Sequence, residues 1–281
     1  MKSIEVRLTG GLGNQMFGAA TGYALSKLIG FPLVLDLGAF NAVNSRKYEL
    51  EIFEGPKILK LKSRSNSTVH KFASKFEILK PELFRETCFC FDKKFFQIST
   101  PTILEGYFQS WKYFDHIKVE LKDFFKSDRI NSVSRAIENR VGKEYIGIHL
   151  RRGDYLNSEY SSFHGLATEE YALRGLGEIK GLARLRLPKV LFTDSPETFS
   201  REFLDNFDLV VDPNWGQHPW DHMDALSQSA HLILSNSSFS WWAGYLGEQS
   251  GRIVVVPNKW FSNLKPNLED LFLPTWIRLE N

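Results

Sequence analysis

Apolar and charged residues alternate along Ile4-Glu5-Val6-Arg7-Leu8, the period of an extended strand with two unlike faces. Residues 16–28 carry a helical pattern, and Phe31-Pro32-Leu33-Val34-Leu35-Asp36 reads as a second strand. Between the first strand and the helix lies Thr9-Gly10-Gly11-Leu12-Gly13-Asn14-Gln15. The chain thus opens with a β-loop-α-β unit of about the length of a Rossmann half. Residues 40–125 are aromatic-rich and irregular, with one recognisable piece at 103–114. A second series of short apolar runs follows at 145–150, 189–193, 208–211, 231–235 and 252–257, and nearly every gap can hold a helix. Regular strand-helix alternation predicts a parallel sheet covered by helices. Two such series with a break near 126–144 predict an α/β protein of two Rossmann-like domains, 1–130 and 131–281, facing each other across a cleft.

Composition narrows the classes. Among 281 residues, 43% are hydrophobic and 14% aromatic, enough for real cores, so disorder is excluded. A formal charge of +2 leaves no global basic excess to displace counterions, which argues against nucleic acid as a partner. Residues 57–80 are a local exception, with seven Lys or Arg against the single acid Glu77. Interleaved with apolar residues, they would suit an anionic membrane face or a polyanionic acceptor, so a peripheral membrane contact is one expectation and a solvated excursion the other. The two cysteines, Cys88 and Cys90, are poorly placed to pair with each other at a spacing of two. With no signal peptide and no apolar run of about 20 residues, the expectation is a reduced, cytoplasmic protein.

The chemistry concentrates at strand ends, where ligands bind in open α/β sheets. His149-Leu150-Arg151-Arg152-Gly153-Asp154-Tyr155 leaves the strand at 145–148. Alternation sends His149 and Arg151 to one side and Leu150 and Arg152 to the other, and an imidazole beside a guanidinium suits a pyrophosphate. The glycine loop at 10–15 brings backbone close to a ligand and opens a helix, but the dinucleotide fingerprint would need glycine where Met16 stands. Thr193-Asp194-Ser195-Pro196 supplies a helix start and leaves Asp194 unexplained, free to position a hydroxyl, a base edge or an arginine.

His218 and His222 have metal-like spacing, yet Pro219 between them spoils the shared helical face, and no metal site is expected. Asp221 reads as a helix cap, whereas Asp224 stays open between capping and binding. Ser235-Asn236-Ser237-Ser238-Phe239-Ser240-Trp241-Trp242 places several hydroxyls at a helix start, more than one cap uses, and fits a phosphate without a metal. No Asp-x-Asp pair is present to hold a divalent ion on a nucleotide diphosphate.

These motifs, with Glu105-Gly106-Tyr107-Phe108-Gln109-Ser110-Trp111, stand in the order and spacing of the α-1,2-fucosyltransferases, and the chain resembles that family over nearly its whole length. The resemblance implies a GT-B-like architecture, with GDP-L-fucose held by the carboxyl-terminal half and the acceptor facing the amino-terminal half. It implies an inverting transfer, without metal or other cofactor, to the 2-hydroxyl of a terminal galactose-like sugar on an oligosaccharide or lipid-linked glycan. By position, Arg151 matches the arginine on the β-phosphate, with His149 beside it. Asn14 falls in the glycine loop, Asp224 matches a carboxylate on the guanine edge, and Ser238, Phe239 and Ser240 match the phosphate turn.

For the proton of the attacking hydroxyl, Asp154 is the first candidate base and Glu159 the second, each just past the strand end. Tyr107, Trp111 and Tyr155 are candidate acceptor platforms, although Trp111 also fits core packing. Two other classes compete: a nicotinamide-dependent dehydrogenase, resting on the first β-loop-α-β and Asp36, and a non-catalytic sugar-binding module, resting on the aromatics.

Overall fold

The alternation at the start of the chain becomes β1 (Ile4–Arg7), with Ile4 and Val6 buried and Glu5 and Arg7 half-buried. Its loop turns at Gly10, whose φ of +78° lies in the left-handed region that favours glycine. Helix α1 (Leu12–Ile29) follows and stops at Gly30, where φ is +73° and the N–H returns to the Ser26 carbonyl. The helix packs on β1 through Gly18 and Gly22, because a Cβ at Gly22 would collide with Val6 and Leu33. Close helix-strand approach thus uses glycines beyond the fingerprint position, and Met16 is fully buried in its place.

The computed structural model describes residues 2–41, 46–57, 59–62, 81–152, 167–183, 186–261 and 267–281. The chain divides into two units, Met1–Arg129 with Glu269–Phe272, and Ile130–Leu268 with Leu273–Asn281. The first contains β2 (Leu33–Asp36), α2 (Glu54–Lys57), β3 (Lys60–Lys62), β4 (Glu82–Arg85), β5 (Thr102–Glu105) and α3 (Lys118–Phe124). Its five-stranded sheet runs β3-β2-β1-β5-β4 with every pairing parallel. The irregular middle of the sequence forms an aromatic core here: the Tyr113 ring meets Phe95 edge-on at 5.0 Å and Phe108 at 5.5 Å. Its hydroxyl accepts from Asp92 N and donates to the Cys90 carbonyl.

The second unit holds α4 (Ser132–Val141), β6 (Ile146–His149), α5 (Glu169–Ala183), β7 (Lys189–Phe192), α6 (Arg201–Leu204), β8 (Leu209–Val211), α7 (Pro219–Ser227), β9 (His231–Ile233), α8 (Ser238–Leu246) and β10 (Val254–Pro257). After α9 (Leu268–Leu271), whose last three residues belong to the first unit, β11 (Ile277–Leu279) closes the chain. The sheet order is β11-β10-β9-β6-β7-β8, again parallel throughout. All four residues of β6 are buried, which is why that strand reads as an unbroken apolar run rather than an alternation.

The stretch at 126–144, read as the break between the two series, holds the boundary between the units at Arg129 and Ile130, and it also contains α4, capped by Asn131, whose side chain accepts the Ser134 N–H. One expectation needs correcting. Cys88 and Cys90 are joined by a disulfide: the bend at 88–90 brings their Cα atoms to 5.2 Å, within bridging distance. Among the described residues no helix is long and apolar enough to cross a membrane. Most of the basic stretch at 57–80 lies outside the described residues.

Candidate active site

At the end of β6 the chain splits its side chains as alternation requires. Leu150 enters the core of the second unit, while Arg152 turns inward over the Phe199 ring and donates to the Ala167 carbonyl at 2.7 Å. His149 and Arg151 point the other way, into a cavity of about 350 Å³. The cavity floor comes from the carboxyl end of β7, with Phe192, Thr193 and Asp194. Asp194 ties the two strand ends together: its Oδ1 accepts from Arg152 N at 2.8 Å, and its Oδ2 stands 3.8 Å from Arg151 Nε. The guanidinium is thereby partly neutralised yet still about 30% exposed, able to meet a second anion.

The far wall is the segment leading into α7. His218 caps that helix, its Nδ1 accepting from Trp220 N, while Asp221 Oδ2 accepts from the N–H groups of Gln217 and His218. This reciprocal capping fixes Gly216, Gln217 and Pro219 along the cavity. His222 also lines it and is bonded through Nε2 to the Pro213 carbonyl at 3.1 Å. Each of the two histidines with metal-like spacing thus has one ring nitrogen engaged locally. Burial pushes the His222 imidazole below its usual range.

The start of α8 forms another side. Phe239 stacks on His149 with ring centroids 5.3 Å apart. Ser237 is the N-cap, its Oγ accepting from Phe239 N, and the fully buried Ser240 hydroxyl bonds to the carbonyls of Ser235 and Ser237. Behind His149, Ser235 Oγ sits 2.8 Å from Nδ1. Burial pushes the His149 imidazole down to about 4, opposed by Asp194 and reinforced by Arg151 and His222. The cavity therefore sets one cation and one carboxylate beside the lowered imidazoles of His149 and His222, with Phe192 and Phe239 as apolar walls, features suited to a polar ligand with a planar part.

Of the residues anticipated from sequence, His149, Arg151, Asp194 and Phe239 come together in this cavity. Asp224, Ser238 and Ser240 are not among its lining. Asp224 Oδ2 instead accepts from Asn131 at 2.7 Å and Gln228 at 2.9 Å, binding α7 to the start of α4. Asp154, Tyr155 and Glu159 lie outside the described residues. Sequence reasoning passed over Pro213 and Phe192 as lining residues, and Ser235 as the partner of His149. Phe192 follows from the strand-end rule once β7 is known, whereas nothing local marks Pro213.

The other anticipated residues belong to the first unit. The Asn14 Oδ1 accepts from Gln109 Nε2 at 3.0 Å. The neighbouring Gln15 staples the glycine loop, donating to the Gly10 and Lys47 carbonyls and accepting from Glu49 N. Burial raises the Glu49 carboxyl from its usual value, and the Leu12 N–H at the first turn of α1 opposes that shift without outweighing it. Tyr107 is exposed and stacks on Phe89 at 6.2 Å. Trp111 is half-buried and donates through Nε1 to the Phe272 carbonyl at 3.1 Å. Asp36, the candidate ribose contact, is buried with its carboxylate on Gly38 N.

Comparison with known proteins gives the family and the fold class. The model of glycosyl transferase family 11 matches residues 1–280. An α-1,2-colitosyltransferase of Escherichia coli is 27% identical across 100% of both chains. Galactoside α-(1,2)-fucosyltransferase 1 of Lagothrix lagotricha is 27% identical over 62% of this chain and 51% of its own length. Among solved structures, a variant of Arabidopsis thaliana FUT1 in complex with GDP superposes with a TM-score of 0.53 at 14% identity, covering 91% of this chain and 70% of that one. The fold is GT-B-like, built from two parallel-sheet Rossmann units. With its model matched from the first residue to the last but one, the chain belongs to glycosyl transferase family 11.

Proposed function

We propose that this glycosyltransferase moves a 6-deoxy sugar, L-fucose in the first reading, from its GDP ester to the 2-hydroxyl of a galactose-like acceptor, with inversion and without a metal or other cofactor. The observation that carries the reading is Arg151, half-exposed in the cavity at the joined ends of β6 and β7. As the bond from the sugar's anomeric carbon to the β-phosphate oxygen breaks, negative charge collects on departing GDP. A fixed guanidinium stabilises that charge more in the transition state than before it. The acceptor oxygen bonds the anomeric carbon on the opposite face and releases its proton; Asp154, then Glu159, are the proposed recipients on sequence position.

A second donor has a specific observation in its favour, the full-length relation to a colitosyltransferase. L-colitose is L-fucose lacking the 3-hydroxyl, so both donors present the same GDP, and the cavity does not discriminate between them.

Thermal shift with GDP, UDP and NAD, each with and without EDTA, tests the nucleotide reading, because a ligand of the native state raises its stability by mass action. Stabilisation by GDP alone, unchanged by EDTA, is expected; stabilisation by NAD would move the dehydrogenase ahead. Transfer from GDP-L-fucose and GDP-L-colitose to lactose then assigns the sugar. Binding of glycan with no transfer from either donor would leave the sugar-binding module.

A further inference from the structure

The His149 ring, which lines the cavity, is held from behind by the buried hydroxyl of Ser235. Ser235 is about 1% exposed, and its Oγ has two neighbours within hydrogen-bond reach: His149 Nδ1 at 2.8 Å and Ser240 Oγ at 3.5 Å. The Ser240 proton already has two acceptors, the carbonyls of Ser235 and Ser237, each at 3.2 Å. If Nδ1 carried the imidazole proton, the Ser235 proton could turn only to Ser240 Oγ, at the outer limit of a hydrogen bond. If Nδ1 is bare, that proton takes the short contact.

We propose that Ser235 donates its hydroxyl proton to His149 Nδ1 and so fixes the imidazole as the Nε2–H tautomer, a neutral donor for an acceptor atom of the bound nucleotide. Ser235 is then a positioning residue that acts through His149. The inference rests on the nucleotide reading of the cavity and deepens it, since it gives the polarity of one contact. Phe239, stacked on the imidazole, holds the ring plane while Ser235 holds the ring's sense. The charged and titratable groups facing His149 are Asp194, Arg151 and His222, and burial against them keeps the imidazole uncharged at neutral pH. Its donation is therefore constant across the physiological range, unlike that of an exposed histidine.

Nitrogen-15 correlation spectra of the imidazole rings in the whole chain, with His149 assigned by the signals missing from His149→Asn, read the tautomer directly. We expect a protonated Nε2 and a bare Nδ1 at neutral pH, with the Nε2–H resonance moving on addition of GDP. Ser235→Ala should give mixed tautomers and raise the Kd for GDP about tenfold, the loss of one oriented hydrogen bond. A protonated Nδ1 in the unmodified protein overturns the proposal, as does an unchanged tautomer and Kd in Ser235→Ala. The first of these needs no variant, so a misfolded Ser235→Ala leaves the question decidable. An Nε2–H ring in a protein that GDP neither shifts nor stabilises overturns the nucleotide reading instead and leaves the tautomer supported.

Discussion

Arg151 and Arg152 show how far a single step along an extended chain separates two identical residues. One lines the cavity; the other lies on Phe199, buried and bonded to a main-chain carbonyl. Replacing Arg151 by Ala should lower kcat about a hundredfold or more while leaving the melting temperature nearly unchanged, because its half-buried side chain lines a cavity and its removal opens no core. Steady-state transfer rates with saturating donor check this, and near-normal turnover would sink the leaving-group role. Arg152→Ala should behave in the opposite sense, destabilising through lost packing and an unpaired Ala167 carbonyl by about 2 kcal/mol. Alternation made this pair legible from sequence. The hydroxyls at 235–240 were not: their density suggested a phosphate turn, but Ser237 and Ser240 are consumed by the cap and the first turn of α8. Sequence cannot say which of several serines a backbone will claim, since that choice depends on the turn's own geometry.

Both sheets could be read in advance wherever a strand is buried or alternates, and the irregular middle could not, because its order comes from ring contacts rather than a period. Glu86 is the clearest case. Its half-buried carboxylate accepts the N–H groups of Tyr107 at 2.7 Å and Phe108 at 3.0 Å, holding Phe108 at a φ of +51°, which a non-glycine residue seldom adopts. Nothing in the local sequence around residue 86 announces a partner about twenty residues on. Glu86→Ala should free that turn and destabilise the first unit by about 2 kcal/mol, measured by denaturant titration, whereas an unchanged midpoint would mean the turn stands by itself. Helix α1 offers a sharper contrast. Gly22→Val has to push the helix off β1 against Val6 and Leu33, and should cost more than about 3 kcal/mol. Gly11, whose added Cβ meets nothing within 4 Å, should tolerate Ala with little change in the same titration.

The lowered histidines of the second unit and the raised carboxylates of the first respond to acid in opposite senses. In the second unit, His149, His222 and His231 are all lowered, chiefly by burial. A histidine whose folded value lies below its unfolded 6.5 binds more protons when unfolded, so its contribution is whole above that value and drains away as pH falls toward the folded one. For His149 the window runs from 6.5 down to about 4, worth roughly 1.4 kcal/mol for each pH unit crossed. In the first unit, Glu49 and Glu86 are raised by burial, so the native state takes up protons more readily than the unfolded chain. Their burial penalty shrinks on mild acidification rather than growing. Lowering the pH from about 7.5 to about 5.5, still above the ordinary carboxylate range, should therefore weaken the sheet of the second unit while sparing that of the first. Hydrogen exchange resolves this element by element, after correction for the intrinsic pH dependence of exchange. Protection should fall in β6, β7 and β9 and hold in β1, β2 and β5. An equal loss in both sheets would mean that the buried histidines do not govern acid stability, and a loss confined to the first would reverse the sign of the argument. Because GDP binding is proposed beside His149, saturating GDP should restore protection in β6 and β7 at the lower pH, which ties the acid-sensitive unit to the nucleotide cavity by a measurement independent of turnover.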